Sequence, residues 1–337
     1  MEFHHNVAVI GLGMGLAHLQ AAIGCGAEIG AIVDTNEATL NKVGEENDIP
    51  KDRRFTDWRE VLNLPVNEVI IATPDQLHRE MAIAMLEAGK HVMCEKPLAL
   101  TREDMLAIVG AARKSDKKFM VGQICRFTPS FVKAKELIDS GAIGEIYYAE
   151  SEYAHDYAKI LAQGGWRADP IRNGVVGGGC HAVDLLRWYV GDPTEVFAYG
   201  SHKLLPLVNY DDATVSVMKF ENGAIGKVYV STGCKHPYTM RTQIWGTKGS
   251  ILCDNTSDTM TLWRVNEGGV DLGEAEIIPV KVNNHNAKEE YGAFKETVEK
   301  DLPVSMDAVL GAKTISVCLA IVESSKTGKP VAPNYDF

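Results

Sequence analysis

The chain reads as an α/β protein in two parts: a doubly wound parallel sheet, then an α+β region on a large, mainly antiparallel open sheet. Three features predict this. Short apolar runs alternate with helical stretches through residue 123, the pattern of parallel strands joined by crossover helices. The first run leads directly into a glycine-rich turn and a helix, "AVIGLGMGLAHL". From residue 145 onward strand-like segments follow one another, with a hairpin signal between two of them, as in antiparallel sheets. The change of pattern sets the expected domains at 1–124 and 125–337.

Each element has its own signal. "NVAVI" at 6–10 is an apolar run of the kind buried on both faces of a parallel sheet. A helix runs from Met14 to about Ile23 and stops at "GCG". "IGAIVD" at 29–34 is the second strand, and Asn36 caps the helix after it. "VNEVIIAT" at 66–73 is a strand, "QLHREMAIAMLEAG" at 76–89 a helix closed by Gly89, and "KHVMCEK" at 90–96 a strand. Thr101 and Asp104 form a capping pair for the next helix, and "KKFMVGQ" at 117–123 is the last strand of the first part. A helix at 130–140 then precedes strands at 145–153, 195–201, 213–220, 224–231, 241–246, 250–254 and 259–264. "ENG" at 221–223 turns a hairpin, and helices at 181–190, 287–300 and 307–327 complete the set.

Composition narrows the function. Hydrophobic residues make up 45% and charged residues 23%, ordinary for a globular protein. The net charge of −11 argues against nucleic acid or an anionic membrane as partner. Seven cysteines with no CxxC spacing read as reduced thiols of a cytoplasmic protein and not as a zinc site. No apolar run reads as long enough to span a bilayer, and no signal-peptide pattern stands at the N-terminus. His4 and His5 are assigned no role.

The glycine turn is the first chemical motif. Gly11 permits a tight turn, and Gly13 lets backbone N–H groups approach a pyrophosphate at the helix N-terminus. Met14 belongs to the same expected cofactor contact. Gly15 comes early and Leu16 holds the usual third-glycine place. Asp34 ends the second strand, where a carboxylate accepts bonds from the ribose hydroxyls of NAD and repels the 2′-phosphate of NADP. NAD is therefore expected in preference to NADP, unless Arg53 or Arg54 rescues the phosphate. Thr73 and Pro74, His78, and Glu95 with Lys96 stand at or just beyond two further strand ends. Ligands of an open parallel sheet bind there, so all five are expected cofactor contacts. A lysine in that place can also bind a substrate hydroxyl and favour its ionised form.

"GLGMGLAH", "IIATPDQLHREMAIAMLEAGKHVMCEKPLAL" and "GGGCHAVDLLRW" together resemble the glucose–fructose oxidoreductase / inositol dehydrogenase (Gfo/Idh/MocA) family. The resemblance implies an N-terminal Rossmann domain and a C-terminal substrate-binding domain whose open sheet often forms the oligomer interface, giving a homodimer or homotetramer. It implies NAD(P)-linked chemistry on sugars, polyols or related small molecules, with Lys96 beside nicotinamide and substrate. It also implies His181 as the active-site histidine. Many members carry an aspartate four residues earlier, and here that position is Gly177.

"GVVGGGCHAVD" at 174–184 admits a metal pair, a structural helix start, or a substrate site. A metal would need further ligands, and no HxxH or HExxH motif exists. The substrate-site reading makes His181 the general base and lets Gly177, Gly178 and Gly179 bring backbone, substrate and nicotinamide together. Without the usual acid, His181 is expected to titrate near about 6.5, unless Asp156 or Asp184 reaches it; Asp184 is expected to turn away. Arg126, Tyr153, His155, Trp166, Arg167 and Asp184 are the expected substrate contacts, with Asp156 and Tyr157 beside them. His236 and Tyr238 read as ordinary loop residues. The expected function is NAD-dependent hydride transfer to or from a sugar or polyol. Two alternatives stand beside it: an NAD-retaining enzyme that uses transient oxidation for elimination or hydrolysis, and a non-catalytic sugar- or nucleotide-binding regulator.

Overall fold

Asn6–Ile10 (β1) is apolar after its first residue, and Val7, Ala8 and Val9 have no solvent exposure at all. In the computed structural model, which describes residues 4–162, 165–266 and 268–337, β1 lies inside a six-stranded parallel sheet. The other strands of the sheet are Glu28–Val33 (β2), Arg54–Phe55 (β3), Glu68–Ile71 (β4), His91–Glu95 (β5) and Phe119–Gly122 (β6). The order is β3-β2-β1-β4-β5-β6, that of a dinucleotide-binding sheet. Gly15–Gly24 (α1), Glu37–Glu46 (α2), His78–Glu87 (α3) and Arg102–Lys114 (α4) are its helices. Asn36 caps α2, and Thr101 caps α4 by accepting the Asp104 amide at 3.1 Å.

The later strands form a second sheet of eight: Ile146–Ala154 (β7), Pro193–Ser201 (β8), Ala213–Phe220 (β9), Ile225–Ser231 (β10), Thr239–Gly246 (β11), Gly249–Asp254 (β12), Thr259–Arg264 (β13) and Glu276–Pro279 (β14). Their order is β14-β13-β12-β11-β7-β10-β9-β8. Every pairing is antiparallel except β7 with β10. Gly223, at φ +84°, closes the β9–β10 hairpin. Pro129–Asp139 (α5), the short Ala158–Ala162 (α6), the single turn Gly174–Gly177 (α7) and Cys180–Val190 (α8) belong with this sheet. On β9 the residues alternate between buried and exposed. Val215 and Val217 face outward, opposite Tyr199 and Phe197 of β8, so the open face carries apolar side chains.

Ala287–Glu299 (α9) and Ala308–Thr327 (α10) close the chain. Here the expected division at 124 needs correction. Residues 286–312 cluster with the first unit, which otherwise ends at Ile124, and not with the second. α9 packs on α1, the Tyr291 hydroxyl donates to Glu68 at 2.9 Å, and the Val121 amide donates to the Met306 carbonyl at 2.8 Å. These are long-range side-chain and backbone bonds with no local signature. His5 is corrected too: it is buried, with Nδ1 against the carboxylate of Glu68. α10 is long and apolar enough, by length and composition, to cross a membrane, contrary to the reading of the sequence. Of that stretch 61% is buried within the protein, as in a core helix.

Candidate functional site

In the first unit the chain turns after β1 at Gly11, whose φ is +87°, a region glycine enters without a steric penalty. A β-carbon there would stand 2.6 Å from the Ala72 carbonyl oxygen. The Gly11 amide donates to the Val33 carbonyl and the Leu12 amide to Asp34 Oδ2, both at 2.8 Å. Asp34 Oδ1 accepts the Asn36 amide at 2.8 Å. The carboxylate is thus fixed beyond the carboxyl ends of β1 and β2, with lone pairs left for further donors. Next to Gly13 the space a side chain would fill is open, and α1 begins two residues later. Bare backbone leading into a helix N-terminus suits a pyrophosphate. Gly15, not residue 16, makes the close helix–strand contact: a β-carbon there would stand 3.2 Å from the Val9 and Ala72 side chains. Met14 is exposed beside the turn.

Beyond β4, Thr73 and Pro74 lead into the single turn Asp75–Leu77. The Thr73 hydroxyl lies 3.5 Å from Met81 Sδ. His78, expected at the cofactor, is fully buried; Nδ1 faces the Pro97 carbonyl at 2.8 Å and Nε2 the Thr73 carbonyl at 3.2 Å. It ties the two strand-end loops together and offers no free nitrogen to a ligand. Glu95 is corrected in the same sense. One carboxylate oxygen accepts from His18 Nε2 at 2.7 Å and the other from the Lys96 amide at 3.0 Å. Burial pushes the Glu95 carboxyl up, but the His18 bond and the charges of His18 and Lys96 outweigh it and hold it at about 2. Glu95 therefore anchors the half-buried Lys96, which precedes Pro97 through a cis peptide.

In the second unit the glycines before His181 admit protein side chains, which corrects the expected role. A β-carbon on Gly177 would lie 2.5 Å from Arg172 Nη2. On Gly178 it would lie 2.5 Å from the Tyr157 hydroxyl, and on Gly179 2.5 Å from the Val230 side chain. A guanidinium thus stands where the resemblance expects an acid. Arg172 is buried and stacks on Trp166, with Arg167 also stacked on that ring, each 4.3 Å from its centroid.

His181 is buried at the start of α8, and its Nδ1 lies 3.2 Å from Cys125 Sγ. Cys125 in turn donates to Met240 Sδ at 3.3 Å. In the tautomer in which Nδ1–H donates to this sulfur, Nε2 is the basic nitrogen. Two sulfur atoms, and no carboxylate, thus stand against the Nδ1 side of the ring. Replacing Cys125 with alanine removes one hydrogen bond, a loss of about 1 kcal/mol, so kcat/KM is expected to fall roughly fivefold. Steady-state kinetics and an NADH titration check this; cofactor affinity stays at the wild-type value.

Around His181 the aromatic residues gather. Tyr153 stacks on its ring with centroids 6.0 Å apart. The Tyr153 hydroxyl bonds His155 Nδ1 at 3.1 Å and the Tyr157 hydroxyl at 2.9 Å. Tyr238, read from sequence as a plain loop residue, joins them, 4.5 Å from the His155 ring and 5.7 Å from Tyr153. Burial pushes the Tyr153 and Tyr238 phenols well up, so both stay protonated. His236 remains on the exposed loop, its Nδ1 on the Pro237 carbonyl.

The carboxylates considered for His181 are engaged elsewhere. Asp156 accepts the Ala158 amide at 3.0 Å and Lys235 Nζ at 2.7 Å. Asp184 turns away, has no solvent exposure, and binds Arg126 through Nε at 2.7 Å and Nη2 at 3.0 Å. Arg126 also lies over Trp188, 5.5 Å from its centroid. Arg126 and Asp184, both expected at the substrate, form instead a buried ion pair. Among the described residues no group of three or more His, Cys, Asp or Glu could hold a metal. Sequence reasoning missed His18, Cys125, Arg172 and Met240. Each lies in an unremarkable local context and gains its role from a partner distant in the chain.

A family model described as "Oxidoreductase family, NAD-binding Rossmann fold" matches residues 5–123, and the "GFO/IDH/MocA C-terminal domain" model matches residues 131–252. Levoglucosan dehydrogenase of Pseudarthrobacter phenanthrenivorans is 33% identical over 234 residues, a match spanning 58% of each chain. Inositol 2-dehydrogenase 2 of Saccharopolyspora erythraea is 30% identical over 256 residues, 73% of this chain and 72% of that one. Among solved structures, levoglucosan dehydrogenase in complex with NADH and L-sorbose superposes with a TM-score of 0.89 at 27% identity, covering 99% of this chain and 100% of that one.

Proposed function

The chain belongs to the Gfo/Idh/MocA family of NAD-binding oxidoreductases, and from that premise we propose that it is a dehydrogenase of a sugar or polyol. Bound NAD supplies the hydride chemistry at its nicotinamide. Gly11, Gly13, Met14 and Asp34 hold the pyrophosphate and ribose, with Thr73 and Pro74 beside them. Lys96 hydrogen-bonds the reacting oxygen and favours its alkoxide. His181 takes the hydroxyl proton through Nε2. Tyr153, His155, Trp166 and Arg167 meet the remaining hydroxyls.

The observation that carries this reading is the setting of His181: an imidazole held at Nδ1 within a group of tyrosines and a second histidine. Such a lining gives donors and acceptors to a polyhydroxylated ligand and ring faces to its C–H surface. The names of the relatives point to the same substrate class. A panel of sugars, polyols and their keto forms, assayed by NAD(H) absorbance, tests it. Turnover of at least one member is expected. Retained NAD with no net reduction, alongside elimination or hydrolysis of the same compounds, would replace this reading with the NAD-retaining one.

NAD is expected to bind on the order of tenfold or more tightly than NADP, because the fixed Asp34 carboxylate meets a 2′-phosphate as a like charge. Arg53 is occupied by Glu28 at 2.8 Å and by the Ile29 carbonyl, and Arg54 by the Ile49 carbonyl at 2.9 Å. Titration of both cofactors, repeated on Asp34→Ala, checks this; the preference shrinks in the variant. The exposed apolar side chains of β8 and β9 support a homodimer or homotetramer closed through the open sheet. Seven free thiols support a reducing, cytoplasmic setting.

A further inference from the structure

Behind Lys96, within the first unit, lies a string of buried ionisable groups. Glu290 of α9 has no solvent exposure, and neither of its carboxylate oxygens has a protein hydrogen-bond partner among the described residues. Oε2 stands 4.0 Å from His18 Nδ1. His18, on α1 and 1% exposed, gives Nε2 to Glu95 at 2.7 Å. The second oxygen of Glu95 holds the Lys96 amide at 3.0 Å. The charged groups facing Glu290 are His18 from α1 and Glu95 and Lys96 from the end of β5. Glu68, His5 and Tyr291 form a separate buried cluster.

A carboxylate buried without hydrogen-bond donors pays a large desolvation cost, so the neutral acid is the favoured form. Burial pushes Glu290 up to about 8, against the pull of His18 and with the push of Glu95. For His18 burial acts downward, but the bond and charge of Glu95, and then the charge of Glu290, outweigh it and raise its pKa. With Glu290 in its neutral form, the Glu95 carboxylate and the His18 imidazole, each favouring the other's charged form, are the pair that stands next to the lysine.

We infer that Glu290 is a positioning residue that acts on Lys96 and the nicotinamide end of the cofactor through His18 and Glu95: neutral, it leaves the imidazolium–carboxylate pair to anchor Lys96, and ionised, it adds a negative charge that favours NAD+ over NADH. This rests on the proposed place of Lys96 beside the nicotinamide. The sign follows from linkage. NAD+ carries a positive ring and NADH does not, so only NAD+ gains from an ionised Glu290. By reciprocity NAD+ binding draws a proton off Glu290.

The test is equilibrium binding with NAD+ and NADH as probes, on the full chain, at about pH 6.5 and about pH 9.5. In the wild type, affinity for NAD+ relative to NADH is expected to rise roughly fivefold between the two. In Glu290→Gln, which mimics the neutral acid, the ratio stays flat and equals the wild-type value at the lower pH. The same pH dependence in both proteins overturns the inference. If the variant does not fold, the wild type alone decides: calorimetry in two buffers near pH 8 must show protons released on binding NAD+ and none on binding NADH. No release overturns the inference as well. Because the readout is binding, it is separate from Lys96 itself. Full turnover by Lys96→Ala would remove Lys96 from the mechanism without touching the proton linkage of Glu290.

Discussion

Lys96→Ala and His181→Ala are each expected to lower kcat/KM by on the order of 10²-fold or more, the scale of losing a positioned proton-transfer group. The two should differ in everything else. Lys96 belongs to the cofactor unit and is anchored by Glu95, whose other oxygen binds His18. Its loss removes a cation from the end of β5, so NAD(H) affinity is expected to change together with turnover. His181 belongs to the second unit, where it is held by Cys125 and Tyr153. Its loss leaves the glycine turn and Asp34 untouched, and NADH titration should return the wild-type value. Steady-state kinetics on the true substrate, paired with that titration, checks both. Near-full activity in either variant removes that residue from the chemistry.

The contrast between Cys125 and His181 sharpens the expectation. The neighbour that holds the ring is expected to cost several-fold when lost; the base itself costs far more. A Cys125→Ala defect as large as that of His181→Ala would mean that the thiol does more than orient the ring. The neutral sulfur pair also separates this site from one built on a carboxylate–histidine pair. A carboxylate would favour the imidazolium by its charge, whereas Cys125 and Met240 bring no formal charge while the thiol is protonated.

Much of the fold is written locally. Apolar runs of strand length, the cap residues Asn36 and Thr101, and the turn at Gly223 all act within a few residues of themselves, so they are legible in the chain. The glycine turn and Asp34 are legible for the same reason: their partnership needs only one strand–helix–strand unit. What the sequence hides is long-range. α9 returns to the first unit because Glu290 and Tyr291 meet His18 and Glu68 across more than half the chain. The guanidinium of Arg172 is invisible at Gly177, since a glycine shows only that something stands close, not what. Arg126, Asp184 and His78 have the chemistry of ligands, and the structure turns them onto each other or onto backbone carbonyls. Charge and residue type suggest a role; burial and partner decide it.

Asp184 gives the largest expected effect on stability. Its carboxylate has no solvent exposure and takes two hydrogen bonds from Arg126 and one from Thr314 at 2.8 Å, with Arg187 Nη1 at 3.7 Å. Burial pushes Arg126 down, but the charge and bonds of Asp184 outweigh it and raise its pKa, so the guanidinium stays charged. Asp184→Ala leaves that cation buried opposite a void. Breaking one side of a buried pair in this way costs about 3–5 kcal/mol, which lowers Tm by roughly 6–20 °C for a unit of this size. Asp184→Asn keeps the shape but not the charge and should recover only part of the loss. The double change Asp184→Leu with Arg126→Met removes both charges and should melt above either single variant, because two apolar side chains carry no desolvation debt. KM for the substrate, measured well below the melting range, should stay near the wild-type value in Asp184→Asn. A large rise in KM with an unchanged Tm would return Asp184 to the substrate and undo its assignment as the buried counter-ion that fixes α8 beneath His181.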